Sequence, residues 1–435
     1  MSNFEFVALN NLVQRVKVGF VGSIEKYYCD KEHGKLLLRT SNLSGGGIDF
    51  NDVKYVTEDF YKRNQKSQLK KYDLLIARHG DNGKADIYEA DEPAQALNVV
   101  IIEPDFSKIS PYLLRYFFEL PYVHKQIKGD VGGSVQGVIN TKQISDLIIP
   151  IDHSLNYSKI ENTLRILEQK IDNNNKIICE LEEMAKTIYD YWFLQFEFPN
   201  EEGKPYKSSG GKMIWNEEVK KEIPDGWKVG TLDWFIKKEK GGDWGKDKPV
   251  GNYKKRVICL RGTDFLAVYG RGKLEAPQRF ILEKNMDKVL ENGDLCIEIS
   301  GGSPTQSTGR ICYINKYTLR RFDEEAITSN FCKAISLWRD EYQIWFYVLW
   351  QKLYDSGIFF KYEGKTTGIK NLLFDIFCHD YKIIIPDDEL IYEYNKKVEP
   401  FFNTIQENLL ENQELTSLRD FLLPLLMNGQ VSFKE

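Results

Sequence analysis

From Ile160 the apolar residues recur in alternating steps of four and three: Ile160, Leu164, Leu167, Ile171, Ile178, Leu181, Ala185, Ile188 and Trp192, with Asn174 in the one polar slot. This is the heptad rhythm of a coiled coil, so the pattern predicts one long helix. The rhythm returns 234 residues later at Tyr394, Val398, Phe401, Ile405, Asn408, Asn412, Leu415, Arg419, Leu422 and Leu426, and predicts a second. Asn174 falls on Asn408 under that shift. A seam asparagine costs stability and fixes register; at a solvated edge it does neither, and both readings stand. With the helices antiparallel, their midpoints meet beside Asn174 and Asn408. A near two-fold axis then throws whatever precedes each helix to opposite ends of a rod of roughly 55 Å for about 37 residues.

What precedes each helix is itself repeated. LLLRTSNL, ending at Leu43, matches ICLRGTDF, ending at Phe265: an apolar strand, then Arg39 or Arg261, then a polar turn. KKYDLLIARHG matches ENGDLCIEISGG, with Asp73 and Asp294 ahead of an apolar strand that runs into glycine, and GKADIY or GRICYI returns. GGSVQGVINTKQISDLIIPI then matches GKTTGIKNLLFDIFCHDYKIIIPD, a glycine-rich loop, a short helical turn and a strand ended by Pro150 or Pro386. Three matched pairs in one order predict two similar heads of mixed α/β character.

Composition agrees with a multidomain globular chain: 435 residues, 42% hydrophobic and 28% charged. No run of about 18 apolar residues occurs, and MSNFEFVALNNLVQRVKV lacks the layout of a secretory leader. A cytoplasmic protein is expected, with no membrane association. The seven cysteines form no C-x-x-C and are expected reduced; the five histidines have no metal-ligand spacing. A net charge of −5 argues against a generic nucleic-acid coat but not against local basic faces.

Those faces are readable in the loops. Two heads of two-fold geometry suit duplex DNA, whose groove faces recur about 34–36 Å apart. In the first head the candidates are Arg39, Lys62, Arg63, Arg78, His79, Lys84, Ser134, Gln136 and Asn140. In the second they are Lys240, Trp244, Lys246, Lys248, Arg261, Ser303, Gln306, Arg310, Lys361, Lys365, Thr366 and Thr367. Lysines suit phosphates, Trp244 suits stacking, and the amide, hydroxyl and guanidinium groups suit base edges. A glycine-rich polar segment taken alone is only a turn, and a lysine run only a solvated face; their recurrence at matched places in both copies favours DNA. Arg39 and Arg261 stand at matched strand ends, equally placed to meet DNA or to bridge a carboxylate within their own head.

Nothing in the chain reads as a catalyst. SSGGKM lacks the first glycine and the final hydroxyl of a P-loop. GFVGS is a poor cofactor loop, no aromatic-proline methyltransferase run is present, and EPDFSK has no counterpart in the other head.

LEEMAKTIYDYWFLQFEFPNEEGKPYKSSGGKMIWNEE, followed by EIPDGWKVGTL, and the ending LRDFLLPLLMNGQVSF resemble the central and C-terminal regions of type I restriction–modification specificity subunits. The resemblance covers the whole plan of the chain and is weakest in the heads. It implies an α+β architecture: two target-recognition domains, residues 1–151 and 227–387, joined by antiparallel coiled-coil helices at 152–195 and 388–435, with a connector at 196–226. Each domain reads one half of a bipartite, asymmetric DNA target, and the helix pair sets the spacer. The resemblance also implies a subunit without chemistry or cofactor of its own. Two modification subunits dock on it and bring S-adenosylmethionine; restriction subunits bring ATP and Mg. Tyr189, Tyr191, Trp192 and Phe193, with Leu422, Leu425, Leu426 and Met427, crowd more of the helix surface than one seam needs and are expected to meet these partners; packing against the chain's own heads is the alternative. PNEEGKPYKSSGG is expected to be a flexible tether. A coiled-coil scaffold holding two protein-binding heads explains the rod and repeat but not the matched loops.

Overall fold

The computed structural model describes residues 4–433 other than 51, 80–82, 130–137, 273, 304 and 367. It divides into two compact units, Met1–Glu168 with Ser417–Glu435, and Gln169–Thr416.

In the first unit four strands lie in the order Val13–Val18, Val99–Pro104, Leu74–Ala77, Ala85–Ile87, all antiparallel. The two central strands are buried along their whole length; Leu74–Ala77 is wholly apolar, and Val99–Pro104 is apolar up to Glu103. Their alternating side chains serve two cores. Leu74, Ile76, Val100 and Ile102 join Leu114 and Phe117 in one cluster, whereas Leu75, Ala77, Val99 and Ile101 join Leu36 and Leu38 in another. The second sheet runs Tyr28–Cys29, Lys54–Thr57, Gly34–Arg39, Ala94–Leu97, with its last pair parallel. Ile160 and Leu164 from the first long helix share the first cluster with Leu423, Leu426 and Met427 from the second.

The second unit repeats this plan, with three strands instead of four in its second sheet. Its sheet order is Ile236–Gly241, Cys332–Leu337, Leu295–Glu298, Ile311–Tyr313, and a second sheet again ends in a parallel pair, Tyr253–Leu260 with Ala326–Thr328. A hairpin, Glu363–Thr366 with Ile369–Leu372, pairs with Ser300–Gly301. The internal repeat is therefore a repeat of topology.

The long helices are Tyr157–Tyr189, continued by a π turn at Asp190–Leu194, and Asp388–Met427. All ten seam positions of each are buried or half-buried. Within the second unit they run antiparallel: the Tyr394 hydroxyl donates to the Ala185 carbonyl at 3.1 Å, and the Asn174 amide donates to Glu411 at 2.7 Å and to Asn412 at 2.9 Å. Asn174 thus meets Asn412, not Asn408, whose own amide nitrogen is buried without a partner. The pairing is offset by about a helical turn because the carboxamide finds a charged acceptor there: Glu411, itself bound by Lys170 at 3.0 Å.

The connector is not a loose tether. Phe198 stacks on Tyr206 at 4.5 Å and on Trp227 at 5.3 Å between ring centroids, Phe196 is buried, and Met213–Asn216 pairs with Lys221–Pro224. Its aromatics supply an apolar anchor that outweighs its glycines. All seven cysteines are free thiols.

Asp73 carries a pH dependence. It is 2% exposed and accepts the Lys70 backbone N–H at 2.9 Å, and burial pushes its pKa up to about 6. A carboxyl whose pKa is raised on folding stabilises most below its unfolded value of about 3.9, and that contribution is lost as pH rises through about 6, of order 3 kcal/mol in all. Asp73→Asn is expected to flatten the rise in the first unit's melting temperature between pH 7.5 and 5. All eight tryptophans lie in the second unit, so circular dichroism should register the change and tryptophan fluorescence should not.

Candidate nucleic-acid interface

In the second unit the ends of three strands release their chains at one edge. Tyr253–Leu260 delivers Arg261, Leu295–Glu298 delivers the glycine-rich loop, and Arg310 begins the return into Ile311–Tyr313. Between them lies a cavity of about 700 Å³. Its walls bring together Trp244, Arg261, Ser303, Gln306 and Arg310 from the residues singled out by sequence, and add Thr263, Glu298, Asn330, Phe331 and Ile369.

Arg310 is held in a two-point fork by Glu298, Nε to Oε2 at 2.8 Å and Nη2 to Oε1 at 2.6 Å. Those bonds raise its pKa, so it is a fixed cation. Arg261 bridges a carboxylate within its own head: Asp264 accepts from its Nε at 2.9 Å, its Nη2 at 2.8 Å and its backbone N–H at 2.8 Å. Trp244 is 37% exposed, with the Arg279 guanidinium 4.3 Å from its ring centroid, and Phe331 is 51% exposed. The site is a small-residue floor with a clamped guanidinium, edged by two wetted aromatic faces.

Lys240 must be removed from the surface set. It is 4% exposed and its ammonium lies 2.8 Å from Asp294 and 2.7 Å from Glu291. Burial opposes its charge, but these carboxylates carry its pKa above the usual lysine value. Lys246, Lys248 and Lys361 are exposed and do not line the cavity. Lys365 and Thr366 place their backbones in the Glu363–Leu372 hairpin; their side chains, and Thr367, lie outside the described residues.

In the first unit Arg39 bonds the Asp52 carboxylate at 3.0 Å and its carbonyl at 2.6 Å, a carboxylate bridge within its own head like that of Arg261. Arg78 donates to the Ile139 carbonyl at 2.9 Å, and Asn140 caps the turn Thr141–Ser145. Lys62 and Arg63 are exposed and paired with Glu58 and Asp59 one turn away, while His79 is exposed and Lys84 half-buried. Ser134 and Gln136 lie outside the described residues. Sequence reasoning missed Asp86, fully buried, which holds the Ser44–Gly47 loop by accepting from the backbone of Gly45 at 2.9 Å and Gly47 at 2.7 Å. An aspartate inside an apolar strand was the available signal.

The surface expected for partners is largely consumed within the chain. Tyr189, Trp192 and Phe193 are buried against Tyr394, and Phe193 also meets Trp227 and Trp345. Leu426 and Met427 are buried in the first unit, and Leu422 and Leu425 half-buried. Of the eight only Tyr191 stays exposed, and other exposed apolar residues of the helices and the π turn are Ile177, Met184, Leu194 and Tyr392 in the second unit and Ile166, Leu418 and Phe421 in the first. Met184 and Leu418 are equivalent under the 234-residue shift.

Among the described residues no cluster of His, Cys, Asp and Glu is placed to hold a metal ion, and no helix is long and apolar enough to cross a membrane.

Comparison with known proteins gives this geometry its context. Residues 10–183 match the type I restriction modification DNA specificity domain. The chain is 25% identical over 345 residues to the type I restriction enzyme MjaIX specificity subunit of Methanocaldococcus jannaschii, covering 77% of this chain and 72% of that protein. A 50-residue stretch is 46% identical to the HindI specificity subunit of Haemophilus influenzae, 12% of this chain and 11% of that one. The crystal structure of the type I restriction-modification S subunit from M. genitalium shares the fold, at 15% identity and a TM-score of 0.56 over 100% of this chain and 97% of the other. The protein carries a DNA specificity domain of the type I restriction–modification kind. Along about three quarters of its length the chain is similar to a specificity subunit of such a system.

Proposed function

We propose that the two heads read the two halves of a bipartite, asymmetric DNA target, and that the antiparallel helix pair sets the unspecified spacer between them. The observation that carries this reading is the cavity at the strand ends of the second head, where separately predicted stacking, amide and guanidinium groups converge on a repeated topology. The heads share a frame and differ in their loops, which suits two unlike half-sites. Two modification subunits bring the S-adenosylmethionine-dependent adenine methylation, and restriction subunits bring ATP- and Mg-dependent translocation and cleavage. Leu418 and Phe421 in one unit and Met184 and Tyr191 in the other are among the exposed apolar positions open to the modification subunits.

The test is expression with the cognate modification subunit in a methylation-free host, followed by sequencing of methylated adenines. One bipartite motif is expected. The purified complex should lose DNA affinity steeply as salt rises, as phosphate-based binding requires, and Phe421→Asp with Leu418→Asp should abolish methylation while leaving the chain folded. Binding indifferent to salt, with no motif, would instead favour two protein-binding heads on a scaffold.

A further inference from the structure

Arg310 offers more than positive charge. Glu298 takes its Nε–H and one Nη2–H, which leaves the second Nη2–H and one Nη1–H as a parallel pair of donors with no acceptor among the described residues. Glu298 is itself built in: it is 5% exposed, and a Cβ at Gly262 would stand 2.6 Å from its Oε1. Only a glycine lets the backbone pass this close to the clamped carboxylate.

The carboxylate decides what the free edge can bind. Glu298 and Arg310 together carry no net charge, so a phosphate approaching the guanidinium also meets a carboxylate a few ångströms behind it. A base edge is neutral and carries no such penalty. Two parallel donors match the paired acceptors O6 and N7 of guanine and no other base edge in the major groove. Trp244 and Phe331 offer apolar faces beside it. In the first head the equivalents of Glu298 and Arg310 are Ala77 and Lys84, so the fork belongs to one half-site only.

We propose that Arg310 reads one guanine of the half-site recognised by the second head, with Glu298 as its positioning residue. This rests on the DNA-reading function proposed above. The experiment uses the complex with its modification subunit and duplexes bearing the methylated target, with 7-deazaguanine replacing each guanine in turn. That analogue removes N7 and keeps base pairing. One guanine is expected to be sensitive, with an affinity loss of about tenfold to a hundredfold. Arg310→Lys should show a similar loss on the natural target and no further loss from the analogue at that position. The proposal is overturned if no guanine is sensitive, or if the analogue's loss persists undiminished in Arg310→Lys. It is also overturned if Arg310→Lys lowers the salt slope by about one with base preference unchanged, which marks a phosphate contact. Should Arg310→Lys fail to fold, the analogue scan on the unaltered protein decides alone. A wild-type complex with no bipartite target would defeat the DNA-reading function itself, a result distinct from all of these.

Discussion

Deleting residues 170–176 together with 410–416 is expected to keep both half-sites and shorten the spacer between them by about three base pairs. The two segments lie opposite each other in the antiparallel pair, because Asn174 faces Asn412 and Lys170 binds Glu411. Seven residues are one heptad, so the seam on either side keeps its phase. At 1.5 Å per residue the loss is about 10 Å, and duplex DNA advances 34–36 Å over about ten base pairs. The cut spares Ile178 and Leu409, which pack in the second core. Sequencing of methylated DNA reads the outcome directly: methylation should vanish from the original sites and appear at sites with the shorter gap. Retention of the original spacing by a folded, active variant would remove the helices as the ruler.

Glu168→Ala is expected to cost the first unit about 3 kcal/mol. Glu168 is the hub of a largely buried charge network: Arg115 bonds one of its oxygens, the Tyr116 hydroxyl donates to the other at 2.9 Å, and Arg419 approaches at 3.4 Å. Arg115 is 6% exposed, and its remaining carboxylate, Glu119, stands 3.6 Å away. Removing Glu168 strands a buried guanidinium, and breaking one partner of such a pair is far costlier than replacing the whole pair with apolar groups. A melting-temperature drop of about 6–12 °C should follow, visible by circular dichroism and absent from the tryptophan signal of the second unit. Glu168→Leu with Arg115→Met should recover much of it. A drop below 2 °C for Glu168→Ala would show that Arg419 and Glu119 hold the cluster without it.

The cavity marks where reading by residue type succeeds and where it stops. Ser303, Gln306 and Arg310 were legible because they sit in a glycine-rich polar loop between two apolar strands, a place where side chains face outward. Glu298 was not, because a carboxylate at a strand end looks like any surface acid until Arg310 closes on it from the return strand twelve residues later. Lys240 misled in the opposite sense. It belongs to a lysine run that reads as a solvated face, yet Asp294, 54 residues on, draws it inside. The aromatics at Tyr189–Phe193 signalled surplus apolar area, but periodicity could not say what covers it; Tyr394, Trp227 and Trp345 do.

By itself, then, the amino-acid order determined the two long helices, the doubled strand plan and the polar loops at its strand ends, because these follow from local periodicity and from matches between copies. The tertiary structure alone decided that Asn174 pairs with Asn412, that Lys240 is buried and that Glu298 clamps Arg310. Each of those is a pairing between residues distant in the chain, settled by which charge or ring arrives from elsewhere to take a side chain out of water. Local pattern carries no record of that arrival.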